Sequence, residues 1–465
     1  MRLTSKIHTM NRAELVHLYS RAGFGAVYST IKQGESKSRE EVVSSLFHGK
    51  ALELTTSIPV FDYSKYPKLS KEQKKKLHKE LEEYQRKINL DWLKNMVNSD
   101  FPLHEKMTLF WANHFVVIPE HPELGRRFNN VLRKHALGSF KEMLHEVSFH
   151  PAMLQFLNNQ QNKKKHPNEN FARELLELFT LGRGNYTEKD IREAARAFTG
   201  YGFNLKGEPE FRENWHDEEE KTVLGKTGNL DAKDILDLVL EKKETAVFVC
   251  RKLFRFLVNE KVDESIVAAM ADHFFASGYR IDALLKWMFL SDWFYDAKHR
   301  GALIKSPVEL MVGVHRLVPV RFEDEKTMLL FQNIMGQVLF HPPNVAGWSG
   351  GKSWIDSQTL LFRLKYPSAV LNDGLIDWYE PEYKEEVALM MEKMRKKIHK
   401  KIGATANWND LLKEIPGDIR FRDLAEILLT VPLSDKAKDT LEEISKADLK
   451  TKIIELLSLP EYQLA

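Results

Sequence analysis

Cysteine is almost absent from this sequence. Among its 465 residues only Cys250 carries a thiol, which excludes an internal disulfide and a cysteine-rich zinc site. The chain also has no run of about eighteen apolar residues, which excludes a membrane-spanning helix. Neither sign of charge dominates, because 69 Lys and Arg residues stand against 66 Asp and Glu residues, for a net charge of +3. This balance argues against bulk electrostatic binding of nucleic acid.

The N-terminal residues 1–25 contain basic side chains but no long apolar run and no small-residue cleavage site. A secretory signal would need both of these features. We therefore expect a cytoplasmic protein, or one that is exported as the passenger of a partner protein.

Apolar residues recur at helical spacing along most of the chain. In the charged stretch 70–98, for example, Leu77, Leu81, Tyr84 and Ile88 fall on one helix face. The other helices are predicted near residues 11–21, 102–116, 139–157, 169–181, 187–199, 232–241, 244–258, 263–275, 280–290, 300–316, 325–340, 381–400, 419–429 and 436–457.

Strand signals are confined to residues 200–224, where glycine, aromatic and charged residues are mixed. This segment predicts a small β-hairpin with strands near Tyr201–Asn204 and Glu210–Trp215. Strands and helices do not alternate along the chain, which argues against a parallel sheet. The sequence therefore predicts an all-α, mainly helical protein with a hairpin insertion, as a single domain over 1–465. Residues 380–465 are more charged and are predicted as a C-terminal helical subdomain.

The string HPNENFARELLELFTLG at 166–182 predicts an amphipathic helix with carboxylates on its polar face. Glu169, Arg173 and Glu177 follow one another at four-residue spacing, with Glu174 beside them. Such a set can bind a divalent cation or supply a general acid and base. It can equally form a buried ionic network in which Arg173 bridges Glu169 and Glu177. On the first interpretation Glu169, Arg173 and Glu174 are the catalytic candidates.

Two histidines are candidate partners of this helix. His114 shares a predicted helix face with Trp111, and His216 begins the string HDEEEKTVLG. An imidazole that packs against a carboxylate-bearing helix would complete a metal site, so Glu174, His114 and His216 form a hypothetical ligand set for a divalent metal. A histidine beside a tryptophan is more often a core side chain than a metal ligand. The residues expected around the site are Trp111, Asn113, His114, Asn168, Asn170, Glu177, His216, Asp217, Lys221 and Trp348.

The string GWSGG at 347–351 matches the pattern of a nucleophile elbow around Ser349. An elbow requires a strand before the serine, whereas the residues PPN at 342–344 predict a loop. We expect instead a glycine-rich turn that anchors Trp348 and Trp354 in the body of the protein.

Two basic runs, 68–87 and 393–401, are the candidate contacts to nucleic acid. In the first run glutamates are interspersed among the lysines and arginines, as on a solvated helix face with ion pairs at four-residue spacing. Little counterion release is expected from such a face. Nucleic acid is therefore not expected as a partner.

Nine strings, spread from near residue 12 to the C-terminus, match one family in order and spacing. They are RAGFG at 21–25, EKMTLFWANHF at 105–115, HPAMLQFL at 150–157, PNENFARELLELFTLG at 167–182, YTEKDIREAARAFTGY at 186–201, HDEEEKTVLG at 216–225, SPVEL at 306–310, PPNVAGW at 342–348 and SLPEYQLA at 458–465. Together they resemble the bacterial helical family catalogued as domain of unknown function 1800. The string that begins at Pro167 is the most specific of them.

The resemblance implies a mainly helical fold but no particular reaction. Genes of this family often stand beside genes of a sulfatase-like companion family, catalogued as domain of unknown function 1501, and this implies a protein partner. Three functions therefore stay open: an accessory or interaction protein that works with this companion, a metal-assisted hydrolase with an acid-rich pocket, and a nucleic-acid binder that uses its basic helices. A divalent metal cofactor belongs to the second of these.

Overall fold

The structure is a computed structural model, and the residues it describes are 9–59, 66, 68–204, 206–372, 402–435 and 446–465. Helices dominate and the strands are short, which confirms the mainly helical class. The α-helices are α1 Arg12–Ala22, α2 Tyr28–Gly34, α3 Arg39–Ser45, α4 Lys71–Asn98, α5 Pro102–His114, α6 Pro122–His135, α7 Phe140–Ser148, α8 Pro151–Phe156, α9 Asn170–Glu174, α10 Glu188–Ala197, α11 Ala232–Glu241, α12 Lys243–Leu257, α13 Glu264–Ala276, α14 Ile281–Leu290, α15 Pro307–Leu317, α16 Lys326–Met335, α17 Ser357–Leu371, α18 Asn409–Glu414, α19 Phe421–Leu428 and α20 Leu449–Leu457.

The predicted hairpin is present. Strand β1, Tyr201–Phe203, pairs antiparallel with β2, Pro209–Phe211, and Tyr201 lies opposite Phe211. The end of the predicted second strand is instead a 3-10 turn, Glu213–Trp215. Three-residue strands carry too little periodicity to be recognised in a sequence, so the remaining pairs were not predicted. These are β3 Lys221–Val223 with β4 Lys226–Gly228, and β5 Val320–Phe322 with β6 Ala404–Ala406.

Buried apolar side chains form two core clusters. The first is built from α1 to α3 and from α5 to α14. The second combines α4 with α15 to α20 and the strand pair β5–β6. Helix α5 contributes to both, because Trp111 belongs to the first cluster and Leu109 to the second. The two clusters are therefore joined through this central helix.

The helix predicted over 139–157 is interrupted. Helix α7 ends at Ser148, and α8 begins at Pro151, which lacks an amide hydrogen and suits the first position of a helix. The backbone amide of Ala152 donates to His150 Nδ1 at 3.2 Å, so His150 caps the new helix. Proline and its cap thus divide a continuous apolar pattern into two helices.

Helices α2, α3, α6, α17 and α18 have no counterpart in the sequence prediction. Two of them contain, inside the helix, a residue that weakens a helix signal: Gly125 in α6 and Pro367 in α17. Gly125 is required by packing, because a Cβ atom there would lie 2.6 Å from Pro119 Cγ. Tertiary contact therefore stabilises a helix that local propensity disfavours.

Helix α15 begins with a capping box. The backbone amide of Glu309 donates to Ser306 Oγ at 3.3 Å, and the amide of Ser306 donates to Glu309 Oε2 at 2.6 Å. Pro307 occupies the first helical position. The box fixes the Glu309 carboxylate at the start of a buried helix.

The described part of the C-terminal region packs into the second core. Strand β6 pairs with β5, α19 contacts α1, and α20 contacts α17. Residues 373–401 and 436–445 lie outside the described residues, and they include the helix predicted over 381–400. A subdomain over 380–465, like the single domain over the whole chain, stays a prediction.

None of the helices in the described residues combines the length and the apolar character that a membrane crossing requires.

Candidate functional site

The predicted acidic helix begins as α9 and continues as a π-helical turn, Leu175–Phe179. Phe171, Leu175 and Phe179 on its apolar face are buried in the first core, and Leu178 is partly buried against it. The wider turn is closed by Thr180 Oγ1, which donates to the Leu175 carbonyl oxygen at 2.6 Å. Because a π turn advances fewer degrees per residue than an α turn, side chains after Glu174 leave the face that regular helical spacing predicts.

Arg173 does not bridge the two predicted carboxylates. Its guanidinium donates to Glu169 at 3.1 Å and to both carboxylate oxygens of Glu188 at 2.9 and 2.8 Å. Glu177 instead accepts from Arg183 at 2.6 Å and from the Tyr186 hydroxyl at 3.0 Å. The prediction of a buried network was therefore wrong, since the Arg173 side chain is 36% exposed and its pairs lie at the surface.

Glu174 is half-buried and makes no ion pair or hydrogen bond with the described residues. Burial raises the pKa of its carboxyl, and the neighbouring Glu177 raises it further, against the opposing effect of Arg173. Glu174 is thus a carboxylate without a bound partner at the edge of the α9 surface.

The other two hypothetical metal ligands lie in separate surroundings. His114 is 1% exposed among aromatic rings, and its Nε2 lies 3.0 Å from the Phe179 carbonyl oxygen. Burial lowers the pKa of this imidazole well below its ordinary value. His216 Nδ1 lies 2.8 Å from the Thr199 carbonyl oxygen. Among the described residues no three His, Cys, Asp or Glu side chains are grouped to hold a metal ion, so the set Glu174, His114 and His216 is not assembled.

Asp217 and Lys221 stabilise the segment that follows α10 through an ion pair and a hydrogen bond. The Asp217 carboxylate accepts from Arg196 Nε at 2.7 Å and from Nη2 at 3.1 Å. Lys221 is 1% exposed and donates to the Glu219 carbonyl oxygen at 2.9 Å. Burial lowers the pKa of the Lys221 amine. These contacts attach the HDEEEK string to helix α10.

The asparagines of the most specific family string shape its loop. The backbone amide of Asn168 donates to Asn162 Oδ1 at 2.8 Å, and that of Asn170 donates to Asn168 Oδ1 at 3.0 Å. Asn162 is buried and donates to the Ala195 carbonyl oxygen at 2.9 Å. The loop before α9 is therefore fixed to α10, while Pro167 and Asn170 remain exposed.

Asn113 clasps the glycine-rich turn. Its Oδ1 accepts from the Trp348 amide at 2.8 Å, and its Nδ2 donates to the Trp348 carbonyl oxygen at 3.1 Å. Trp348 and Trp354 are 7% and 8% exposed, as expected for anchored rings. The residues directly before Ser349, 336–348, form turns and loop and contain no strand, which excludes a nucleophile elbow. Trp111, by contrast, is a core residue whose Nε1 donates to the Ala136 carbonyl oxygen at 3.0 Å.

The basic run 68–87 lies mostly in the exposed first half of α4. Arg86 pairs there with Glu82 at 3.4 Å and with Glu83 at 3.0 Å. Glu83 also pairs with Lys326 of α16 at 3.4 Å. Local pairing thus neutralises part of this face, and the second run, 393–401, lies outside the described residues.

A group of charged side chains that belongs to none of the predicted site residues lies inside the fold. Arg21, Lys106, Lys305 and Arg363 gather around the carboxylate of Glu309. Each of the four cations is at most 9% exposed, and the Glu309 side chain is 12% exposed. We call these five residues the cationic cluster.

Helices from both cores build the cationic cluster. Lys106 on α5 pairs directly with Glu309 in the first turn of α15. Arg21, near the end of α1, donates to the His299 carbonyl oxygen at 2.6 Å. Arg363 on α17 donates to the Lys305 carbonyl oxygen at 2.5 Å. The capping box at Ser306 thus presents its carboxylate to cations from three other helices.

Lys305 is held by the C-terminal segment. Its Nζ donates to the Tyr462 carbonyl oxygen at 2.7 Å and lies 3.5 Å from the centroid of the Tyr462 ring. Arg363 Nε donates to Gln463 Oε1 at 3.1 Å beside it. The ammonium is therefore positioned by a carbonyl and an aromatic face, without a carboxylate of its own.

Burial lowers the pKa values of the cations in the cluster. Burial lowers the pKa of Lys305 to about 7; Glu309 opposes this, while Lys106, Arg363 and Arg21 add to it. Burial also lowers the pKa of Arg21 to about 9 and that of Arg363 to about 10, with Glu309 opposing in both cases. Lys305 is thus the member of the cluster that releases its proton most readily.

A cavity of about 430 Å³ opens beside Lys305. Its wall includes the residues Gly23–Val27 that link α1 to α2, together with Arg316 and Tyr462. The volume lies in the range of small-molecule sites. The arrangement places an ammonium that exchanges its proton near neutral pH in the wall of a ligand-sized cavity.

Two features of the sequence could have pointed to this site. The strings RAGFG and SLPEYQLA, far apart in the chain, both contribute residues to the cavity wall, and SPVEL contributes Glu309 to the cluster. Lys106 also interrupts an apolar helix face in EKMTLFW, where a charge requires a buried partner. The strings alone did not disclose that they meet.

The fold and the site define a helical protein with a buried cationic cluster beside a cavity. The sequence model of the family described as "Protein of unknown function (DUF1800)" matches residues 17–464, so the chain belongs to this family. Comparisons with curated proteins and with solved structures gave no match.

Proposed function

We propose that this protein is an accessory or interaction protein that binds a sulfatase-like companion of the family catalogued as domain of unknown function 1501. The proposed contact is made by one group of side chains around the β1–β2 hairpin. We call it the hairpin surface, and it consists of Lys163, His166, Phe211, Arg212 and Trp215.

The observation that carries the proposal is the exposure of Phe211. This side chain is 46% exposed, and only Phe275 is another exposed large hydrophobic residue in the described part of the chain. The Phe211 ring lies 4.7 Å from the Tyr201 ring and 5.3 Å from the His216 ring, centroid to centroid. An aromatic side chain that is held by its neighbours yet open to solvent is typical of the centre of a protein interface.

Cations stack on the neighbouring indole. Lys163 Nζ and Arg212 Cζ each lie 4.8 Å from the centroid of the Trp215 ring. The backbone is fixed as well, because the Lys164 amide donates to the Trp215 carbonyl oxygen at 2.8 Å. Tryptophan and arginine are enriched among residues that dominate binding energy. The surface therefore supports binding without first having to be ordered.

One edge of this surface is basic, whereas Arg212 on the hairpin is paired with Glu210 at 2.8 Å. Residues 163–165 are three exposed lysines, and the exposed His166 follows them. They lead directly into the exposed Pro167 of the most specific family string. A partner with an acidic patch around an apolar pocket would complement this surface.

The test is a titration of the purified chain with a purified companion of the named family. We expect a complex that Phe211→Ser weakens at least about 10-fold, since an aromatic anchor would lose its pocket. The matched control is Phe275→Ser on α13, the other exposed phenylalanine, which should bind as the unaltered chain does. Both variants should retain the thermal unfolding midpoint of the parent.

Two results would contradict the proposal. One is the absence of a complex at about 100 μM of each protein, because the affinity would then be lower than that of a transient interface. The other is an equal loss of binding in the two phenylalanine variants. Lys163→Glu adds a charge test, because a partner with an acidic patch should bind this variant more weakly and with a smaller salt dependence. Fractionation of cells that express both proteins decides whether they meet in the cytoplasm or after export.

The two other functions stay alternatives. The metal-assisted hydrolase would need ligands other than Glu174, His114 and His216, and elemental analysis of protein purified without chelator tests it. Nucleic-acid binding through 68–87 is tested by titration with duplex DNA at two salt concentrations. No observation on the described residues favours either alternative over the interaction protein.

A further inference from the structure

The cationic cluster and its cavity share no residue with the hairpin surface, and they support a separate inference. The cluster contains four cations and one carboxylate, and Lys106 already pairs with that carboxylate. Buried charges are stable only when they are paired. The cluster therefore carries positive charge that its single carboxylate does not balance, and an additional anion would balance it.

Several donors of the cluster have no acceptor within the described residues. They are Nε and Nη1 of Arg21 and Nη1 of Arg363, all of them shielded from solvent. Lys305 has three hydrogens to donate, and among the described residues one acceptor, the Tyr462 carbonyl oxygen, takes one of them. Unused donors in a buried cationic site are what an anion would bind.

Lys305 is the member of the cluster that lines the cavity. Arg316 lies in the same wall, and its Nη1 is held by the carbonyl oxygens of Met96, Val97 and Ser99 at 2.9 to 3.0 Å. Two cations on different parts of α15 and its N-terminal flank thus face one space of about 430 Å³.

We propose that this cavity binds a small oxyanion, such as sulfate or phosphate or a ligand that carries such a group, and that the Lys305 ammonium is its direct contact. The bound anion balances the buried positive charge that Glu309 leaves uncompensated. Arg316 supplies a second positive charge in the same wall.

Binding of the anion is coupled to a proton. Because burial lowers the pKa of Lys305 to about 7, this amine is largely neutral at pH 8 and must take up a proton to pair with an anion. Affinity therefore falls as the pH rises above about 7. The charged or titratable groups around Lys305 and the cavity are Tyr19, Arg21, Lys37, His48, Asp100, Lys106, Glu309, Arg316, Arg363 and Tyr462.

The experiment is isothermal titration of the full chain with sodium sulfate near pH 8, in two buffers of different ionisation enthalpy. Sulfate is the probe because it does not itself titrate in this range. We expect one sulfate per chain and an uptake approaching one proton, which vanishes near pH 6. A parallel titration with inorganic phosphate at pH 6 compares the two oxyanions, and sodium chloride at equal ionic strength controls for screening.

Variants of Lys305 separate its roles. Lys305→Met should weaken sulfate binding at least about 10-fold and abolish proton uptake. Lys305→Arg keeps the charge and should bind sulfate without proton uptake. The matched control is Lys252→Met, because burial lowers the pKa of Lys252 to about 8 but this residue lies outside the cavity wall. This variant should retain both sulfate binding and proton uptake.

The proposal is overturned if the unaltered chain binds neither sulfate nor phosphate at about 10 mM. At that concentration an anion bound at a specific site would also raise the thermal unfolding midpoint. It is equally overturned if Lys305→Met and Lys252→Met bind sulfate alike. Should Lys305→Met fail to fold, Lys305→Arg decides, since persistence of the full proton uptake in that variant would exclude Lys305 as the contact.

Discussion

Arg133 and Glu105 form an ion pair that is almost completely removed from water. The two side chains are 2% and 0% exposed, and their paired atoms lie 2.5 Å apart for Nη1 to Oε1 and 2.9 Å for Nη2 to Oε2. Arg133 also donates to Asn129 Oδ1 at 2.8 Å and to the Leu52 carbonyl oxygen at 3.0 Å. This pair joins α5 to α6 and satisfies most of the donors of a buried guanidinium.

Removal of Arg133 should therefore destabilise the fold strongly. We expect Arg133→Ala to lower the free energy of unfolding by about 3–5 kcal/mol, because it leaves the Glu105 carboxylate buried and unpaired. Chemical denaturation monitored by circular dichroism measures this loss. The double variant Arg133→Met with Glu105→Leu should recover part of it, since no buried charge is left without a partner. A loss below about 1 kcal/mol for Arg133→Ala would show that water reaches the pair.

Arg173 provides the opposite case. Its pairs with Glu169 and Glu188 lie at the surface, where solvent screens them. We expect Arg173→Ala to change the free energy of unfolding by no more than about 1 kcal/mol. The same denaturation experiment, carried out beside Arg133→Ala, gives the comparison. A loss as large as that of Arg133→Ala would mean that the α9 surface is covered in solution.

Acid should destabilise the protein through its buried histidines. Burial lowers the pKa of His315 from about 6.5 to about 4, and its Nε2 lies 2.6 Å from the Tyr366 hydroxyl oxygen. The unfolded chain binds a proton at His315 below pH 6.5, whereas the folded chain does so only near pH 4. The stability that the protein gains from keeping His315 neutral is therefore fully present above pH 6.5. As the pH falls from 6.5 toward 4, the free energy of unfolding decreases by roughly 3 kcal/mol. Burial lowers the pKa of His17, His104, His114, His121, His150 and His299 in the same direction.

Urea unfolding at about pH 7.5 and pH 4.5 tests this linkage. His315→Gln removes the titrating group, so the variant should lose less stability between the two pH values than the parent does. His48→Gln changes an exposed histidine and should follow the parent. Equal acid losses in the parent and in His315→Gln would contradict the assignment.

Gly347 should resist substitution. Its φ is +81°, and a Cβ atom there would lie 2.2 Å from Asn113 Oδ1, which accepts the Trp348 amide. We expect Gly347→Ala to cost about 2–4 kcal/mol, as backbone strain is added to the loss of this clasp. Gly350 is the matched control, because its φ is +77° but a Cβ atom would meet nothing within 4 Å. Gly350→Ala should lower the free energy of unfolding only by the backbone strain, about 1 kcal/mol. Thermal and chemical unfolding of the two variants should therefore differ, and identical losses would disprove the role of Asn113.

Local chemistry made much of the fold predictable. Helical spacing of apolar residues located the long helices, and Pro and Gly marked turns such as that around Trp348. Short strands such as Val320–Phe322 could not be predicted from the sequence, because the strand that pairs with it, Ala404–Ala406, lies far along the chain. Helix α6 escaped because Gly125 disfavours a helix locally, and only its packing against Pro119 shows why glycine is present.

The candidate site was less predictable, because charge pairing depends on burial. The spacing of Glu169, Arg173 and Glu177 is compatible with a buried network and with a surface cluster, and only the tertiary structure supplied Glu188 and Arg183 as the actual partners. Likewise, nothing in the sequence distinguishes His114 as a core side chain from His114 as a ligand.

The sequence by itself determined the helical class, the family and the hairpin, because these depend on periodicity and on contiguous strings. Only the tertiary structure decided which charges share one environment. Arg21, Lys106, Lys305 and Arg363 are separated by up to hundreds of residues, yet they lie around Glu309. Electrostatic energy depends on the distance between charges in space and on the exclusion of water. The order of residues along the chain specifies neither of these quantities directly.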